Sequence, residues 1–203
     1  ILNYRSFLLN IDNLEYLPTS RIKKDFFVVL KGRSYSYNLV YYNKNNDEAG
    51  KGETWNEILF QLDQNINIFL FMLEIMITLL LLKEFDKISY LIDEYYEELL
   101  APTNWTGYHV HSTVLLGHSV QLLYEGSFMQ AKKTFQLINT TKIDGSYKEY
   151  NMIFYHLIEY QIALTSHAED KNLKAIENKY LGYVQKTGFT FFSVDYLKKY
   201  LLK

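Results

Sequence analysis

Long stretches of this chain contain no residue that breaks a helix. Only two prolines occur, Pro18 and Pro102, and nine glycines are spread over 203 residues. A β-sheet fold needs frequent turns, which proline and glycine help to form, whereas helices run on without them. The apolar share of 48% is ordinary for a globular protein, so a core can form. These features predict an all-α chain.

Apolar residues recur at helical spacing in four places, each predicting an amphipathic helix. The four sets are Phe85, Ile88, Ile92, Tyr95 and Leu99, with Pro102 just beyond; Phe128, Ala131, Phe135 and Ile138; Tyr147, Tyr150, Phe154, Leu157 and Ile158; and Leu173, Ile176 and Tyr180. The links at 83–84, 125–127 and 168–170 are short, which is typical of helices that run antiparallel to their neighbours.

Two segments have an unusual composition. Residues 43–53 (NKNNDEAGKGE) are rich in Asn and Gly and are predicted to be flexible, separating an N-terminal piece from the helical body. Residues 66–82 are strongly apolar, but Asn67, Glu74 and Thr78 interrupt them, and a bilayer crossing needs about 20 residues. This second segment is predicted to be a buried helix.

Charge and cysteine content exclude several classes of protein. The formal net charge of −2 provides no basic surface for nucleic acid, and the lysine pairs 23–24, 132–133 and 198–199 are isolated from one another. No cysteine is present, so disulfides and thiolate metal sites are excluded. We find no signal peptide at the start and expect a cytoplasmic protein.

The segment 115–138 follows the tetratricopeptide pattern of two antiparallel helices. Ala131 takes the small position of the second helix, Gly126 the turn glycine and Phe135 the large aromatic position one turn later. Ser119 takes the small position where the two helices cross. Small side chains let the helices approach, and the aromatic ring fills the wedge between them.

Similar pairs lie 43 residues before Phe128-x-x-Ala131 of this hairpin, at Phe85-x-x-Ile88, and 44 residues after it, at Asn172-x-x-Ala175. The pattern predicts degenerate tetratricopeptide-like hairpins stacked into a right-handed superhelix. An unrelated helical bundle is the alternative.

No enzyme motif is visible. The chain has no phosphate-binding glycine loop, no His-Glu-x-x-His and no Gly-x-Ser-x-Gly. His109 and His111 are two residues apart and point to different faces of a helix, whereas His111 and His118 share a face without a carboxylate to complete a ligand set. We predict no enzyme activity, no metal site and no cofactor.

Stacked hairpins curve, and their first helices line the concave side, which suits an extended peptide or a partner helix. The ranges 66–82, 106–124 and 146–166 are the predicted lining. Their polar side chains are the predicted ligand-binding residues: Glu74, Thr78, His111, His118, Gln121, Asn151, Tyr155 and Glu159. Glu74 stands among apolar residues, where a buried carboxylate is costly unless it is paired. The other reading of Glu74 is that it faces solvent or a groove.

From Leu70 onward, the chain resembles the C-terminal regulatory domain of the Rgg, GadR and MutR transcription regulators of low-GC Gram-positive bacteria. The resemblance rests on the hairpin 115–138, on Asp144-x-x-Tyr147-x-x-Tyr150, and on a tail with a break at Gly188-Phe189. The opening, residues 7–16, is similar to the end of that family's helix-turn-helix domain. Residues 66–82 lack the Asn-Arg type of polar pair that peptide-sensing members present to the pheromone, so either the ligand differs or no peptide is sensed.

The resemblance implies a remnant of a helix-turn-helix domain at 1–16, a linker with the first helices at 17–65, and a sensor and dimerisation domain at 66–203. Its expected partners are a short, mostly apolar signalling peptide, a second copy of the chain, and DNA through a missing N-terminal domain. The predicted dimer contact is formed by Phe189, Phe191, Phe192, Val194 and Leu197, which could alternatively form an end cap. The alternative function is a free-standing helical-repeat scaffold that binds another protein.

Overall fold

The computed structural model describes residues 21–64, 68–95, 108–143, 148–188 and 192–201. These ranges contain α-helices and one short 3-10 helix, Thr140–Lys142, and no strand. The α-helices are α1 Arg21–Lys44, α2 Glu48–Asp63, α3 Ile68–Leu82, α4 Phe85–Glu94, α5 Tyr108–Tyr124, α6 Phe128–Gln136, α7 Lys148–Thr165, α8 Asp170–Thr187 and α9 Val194–Lys198. The predicted all-α class is confirmed.

The chain forms two compact units, residues 1–82 and 83–203. In the first unit, α1 packs against both α2 and α3. Gly32 sets the approach of α1 to α3, because a Cβ at this position would lie 2.6 Å from the carbonyl oxygen of Phe71. Most described side chains of α3 are buried, as predicted for residues 66–82. Among the described residues, no helix is long and apolar enough to cross a membrane.

The prediction that residues 43–53 are flexible is wrong for most of their length. α1 runs to Lys44 and α2 begins at Glu48, so three residues separate the helices. Asp47 caps α2 by accepting a hydrogen bond of 2.9 Å from the backbone N–H of Gly50. The ring of Tyr42 packs against Gly50, where it leaves no room for a side chain. Capping and packing thus order a segment whose composition indicates a loop.

The unit boundary also differs from the predicted start of the repeat domain at residue 66. α3 packs against α1, because its apolar side chains complete the core of the first unit, and the second unit begins after Leu82. Of the predicted N-terminal domains, residues 1–16 lie outside the described residues, and 21–64 consist mainly of α1 and α2.

The second unit contains α4 to α9. α5 packs against α4, α6 and α7, and α7 packs against α5, α6, α8 and α9. The predicted links at 83–84 and 125–127 separate helices as expected, and the link between α7 and α8 spans 166–169. Gly126 has a φ of +80° and Gly188 a φ of +71°, left-handed values that glycine adopts without the strain a side chain brings.

Three residues assigned to the tetratricopeptide pattern, Ser119, Ala131 and Phe135, lie in the core of this unit, whereas the turn glycine Gly126 is exposed. Ala131 and Ser119 are fully buried, and Ser119 Oγ donates to the carbonyl of Leu115 at 2.7 Å. Phe85 and Phe135 are buried as predicted, whereas Phe128 is partly exposed because it opens α6. Leu99, Pro102 and Tyr147 of the predicted stripes lie outside the described residues.

The predicted dimer contact has a different environment in the structure. Phe192 and Leu197 are buried within their own chain. Phe189 and Phe191 lie outside the described residues. The packing of α9 against α7 and α8 is that of an end cap, the alternative reading of this segment.

Candidate ligand-binding site

The eight predicted ligand-binding residues divide between the two units. Glu74 and Thr78 lie on α3 of the first unit. The other six lie on two helices of the second unit that pack against each other, α5 and α7. They are His111, His118 and Gln121 on α5, and Asn151, Tyr155 and Glu159 on α7.

Glu74 has a partner that sequence reasoning missed. Its Oε1 accepts hydrogen bonds from Arg33 Nη2 at 2.8 Å and from Arg33 Nε at 3.1 Å. The side chain of Arg33 is 45% exposed and that of Glu74 15% exposed, so the pair lies at the edge of the core. Because Arg33 is 41 residues away on α1, the spacing of residues could not identify it. Thr78, one turn after Glu74, is buried.

The contact between α5 and α7 contains a buried polar pair. Thr113 Oγ1 donates to Asn151 Oδ1 at 2.7 Å, and both side chains are almost completely buried. Asn151 Nδ2 has no hydrogen-bond partner among the described residues. A buried polar atom without a partner is costly, so Asn151 is a candidate for contact with a ligand.

A second carboxamide lies where α5 meets α4. Gln121 Nε2 donates to Asp93 Oδ1 at 2.8 Å, while Gln121 Oε1 is buried and has no partner among the described residues. His118 is half-buried, and burial lowers its pKa although Asp93 and Glu125 oppose the shift. Burial also lowers the pKa of His111. Both imidazoles are therefore neutral at pH 7 and can each donate one hydrogen bond and accept another.

Tyr155 belongs to a layer of aromatic rings between α6, α7 and α8, and Glu159 contacts one ring of this layer, that of His156. The ring of Tyr155 stacks on Phe135 with centroids 4.6 Å apart, and burial raises the pKa of its phenol. Glu159 Oε2 lies 2.8 Å from His156 Nδ1, and the His156 ring stacks on Tyr183 at 5.6 Å. Sequence reasoning missed His156, although its spacing of three from Glu159 is a detectable signal.

The groups that the predicted site residues of α5 and α7 offer are two carboxamides, two imidazoles, a phenol and the carboxylate of Glu159. In the ranges that the structure describes, no three His, Asp or Glu side chains group closely enough to hold a metal ion. Thr78, Gln121 and Asn151 are buried, whereas Glu74, His111, His118, Tyr155 and Glu159 are partly exposed. The partly exposed residues are open to a ligand as the helices stand, whereas contact with Gln121 or Asn151 requires the side chains over them to move.

Comparisons of this chain with protein-family models, with curated proteins and with solved structures return no match. The resemblance to the Rgg, GadR and MutR regulators therefore stays a prediction.

Proposed function

We propose that this chain is the ligand-sensing and dimerisation domain of a cytoplasmic bacterial transcription regulator, and that its ligand is a short, mostly apolar peptide. The fold part of the proposal is a stack of tetratricopeptide-like hairpins. The order of packing supports it, because α5 contacts α6 and α7, and α7 contacts α8, as in successive hairpins. The buried small residues Ser119 and Ala131 support it as well.

The observation that carries the proposed ligand is the unpaired carboxamide nitrogen of Asn151. It lies between α5 and α7, the two helices that line the concave side in a stack of hairpins. A peptide carbonyl group would give this N–H group the acceptor it lacks. Gln121 Oε1, which is unpaired on α5, would in the same way accept from a peptide N–H group. Peptide backbones carry both kinds of group, whereas most other apolar ligands do not.

The test is calorimetry of short apolar peptides against the full chain and a Thr113→Val/Asn151→Leu double variant. Removing both partners of a buried hydrogen bond costs little stability, so the melting temperature should hold or rise. Peptide affinity should fall about 10-fold, the equivalent of about 1.4 kcal/mol. The matched control is Asn178→Leu on the exposed side of α8, which should change neither. Unchanged affinity in the double variant would contradict the proposal.

The dimer is the second part of the proposal. A regulator that reads two half-sites of DNA needs the matching symmetry in the protein. Sedimentation of the full chain should therefore give the mass of two copies. A monomer at a protein concentration of roughly tens of micromolar would reject this part of the proposal.

A free-standing scaffold that binds another protein is the second candidate. Two large apolar side chains favour it, because Met129 of α6 and Leu137, the residue that follows α6, are 64% and 67% exposed. The gene sequence upstream of Ile1 separates the two candidates. A helix-turn-helix pattern there supports the regulator, and its absence supports the scaffold.

A further inference from the structure

The last described segment, residues 192–201, folds back over the second unit. We call this segment the strap. It contains α9, which packs against α7 and α8, and it ends beside the start of α4. A helix of five residues such as α9 is not stable by itself, so contacts with other elements must hold it.

Polar contacts with the described part of the second unit help to hold the strap. Lys83 Nζ donates to the carbonyl of Lys199 at 2.9 Å, and Gln161 Nε2 on α7 donates to the carbonyl of Leu197. The carboxylate of Glu177 on α8 lies 3.9 Å from Lys198 Nζ. The last carbonyls of a helix have no partner within it, and here Lys83 and Gln161 supply partners from elsewhere in the unit.

Aromatic rings form the rest of the contact. Phe192 meets Phe154 of α7 edge to face at 5.7 Å, and Tyr200 meets Phe85 of α4 at 5.6 Å. The ammonium group of Lys83 lies 5.3 Å from the ring centre of Tyr196 and 5.4 Å from that of Tyr200. Lys83 thus binds the strap through a hydrogen bond and through two ring faces.

The closed strap keeps polar groups away from water. Tyr180 is completely buried, and its hydroxyl has no hydrogen-bond partner among the described residues. Burial raises the pKa of the Tyr196 and Tyr200 phenols, and the Tyr180 phenol adds to both shifts. Burial lowers the pKa of Lys83, and its backbone has a φ of +60°, which is strained for a residue with a side chain. Release of the strap would let water hydrate the Tyr180 hydroxyl, which lowers the free energy needed to open the strap.

We infer that residues 192–201 form a releasable strap, that Lys83 is its latch, and that the strap competes with the ligand for the face of α7. The strap follows α4, α7 and α8, the helices that it contacts, so it can leave without interrupting any of them. The uncovered surface, which includes Phe154, Tyr180 and Phe85, fits an apolar, aromatic-rich peptide like the strap itself. Only the competition with an external ligand rests on the proposed function.

The latch is tested by hydrogen–deuterium exchange on the full chain with Lys83→Met, which keeps the length of the stem and removes the ammonium group. Amides of 192–201 should exchange about 10-fold faster, while those of α5 keep their protection. Lys83→Arg should restore most of the protection, and Lys179→Met, an exposed lysine of α8, should have no effect. Unchanged exchange in the strap overturns the latch, and so does an equal loss of protection in α5 and the strap.

The face under the strap is tested with a synthetic peptide of residues 192–201. In the full chain with Lys198→Glu, the contact with Glu177 becomes repulsive while the face itself is unchanged. The peptide keeps its lysine and should bind this variant at least about 10-fold more tightly than the wild-type chain, whose own strap acts at a high effective concentration. Lys179→Glu is the charge-matched control. Equal or absent binding to both chains overturns the proposal, and neither experiment depends on the external ligand.

Discussion

The two units differ in the helix contact that is most easily disturbed. In the first unit, the backbone of α3 lies where a side chain at position 32 of α1 would be. The distance between the two helices therefore depends on Gly32 having no side chain. In the second unit, large rings fill the space: Phe85 lies between Tyr124 at 5.1 Å and Tyr200 at 5.6 Å. The first arrangement should fail when atoms are added, and the second when rings become charged or the small residues beside them grow.

The largest effect is expected for Gly32→Val. Its Cβ would lie 2.6 Å from a backbone oxygen, which cannot move aside as a flexible side chain can. The free energy of unfolding should fall by about 3 kcal/mol, the upper end of overpacking costs. Gly52→Ala on α2 is the control, because no atom lies within 4 Å of its Cβ, and it should gain about 0.5–1 kcal/mol. Urea denaturation measures both, and equal responses would refute the role of Gly32.

Ala131→Leu tests the second unit in the same way. Ala131 is fully buried on α6, so the larger side chain should cost about 1–3 kcal/mol in urea denaturation. Ala175→Leu places the same change on an exposed position of α8 and should stay within about 0.5 kcal/mol. A negligible loss at Ala131 would contradict its assignment to the crossing of two helices.

High pH should lower the stability of the second unit, because its buried tyrosines would have to ionise. Burial raises the pKa of Tyr180, Tyr196 and Tyr200 above the usual 10.0. A raised pKa means that the folded state holds its protons more firmly, so this stability is complete below pH 10 and is lost as the pH rises beyond it. The lowered pKa of Lys83 makes the folded state relatively more stable as the pH rises. This opposes the effect of the tyrosines, but it involves one group whereas the tyrosines are three.

Ultraviolet titration of tyrosinate, recorded together with circular dichroism, checks this expectation. Tyr180→Phe should hold or raise stability at neutral pH, because it removes an unpaired hydroxyl, and it should reduce the loss at high pH. If ionisation of the buried phenols proceeds without any loss of structure, the strap is not closed over them.

The smallest effect is expected for the ion pair of the first unit. Glu74→Gln should cost less than about 1 kcal/mol, because Arg33 is partly exposed and solvent screens the pair. Glu53→Gln, an exposed change on α2, is the control for loss of charge alone. In calorimetry with peptides, weaker binding by Glu74→Gln would assign the carboxylate to the ligand site. Unchanged binding together with higher stability would instead mark it as a tolerated carboxylate.

Local chemistry explains which parts of the fold the sequence predicts well. The links at 83–84 and 125–127 follow from the apolar stripes on either side of them, and Gly126 and Gly188 end helices where glycine is expected. The burial of Ser119 and Ala131 follows from a motif contained in 24 residues. These features can be predicted because the residues that determine them lie within a few positions of one another in the sequence.

Contacts between distant residues account for the rest. Asp47 and Tyr42 order a segment whose Asn and Gly content alone indicates a loop. Arg33 reaches Glu74 from another helix, and Thr113 reaches Asn151 across 38 residues. At the candidate site, the sequence identified Asn151 and Gln121 as polar residues on the correct helices, but their unpaired atoms appear only when the helices are packed.

The hydrogen bond between Lys83 and Lys199 can form only late in the synthesis of the chain. Its two residues lie 116 positions apart, so the ribosome needs about 6–23 s between them at about 5–20 residues per second. During that interval the ring of Phe85 lacks the contact that Tyr200 later provides. The nascent chain therefore presents an apolar surface that chaperones can hold.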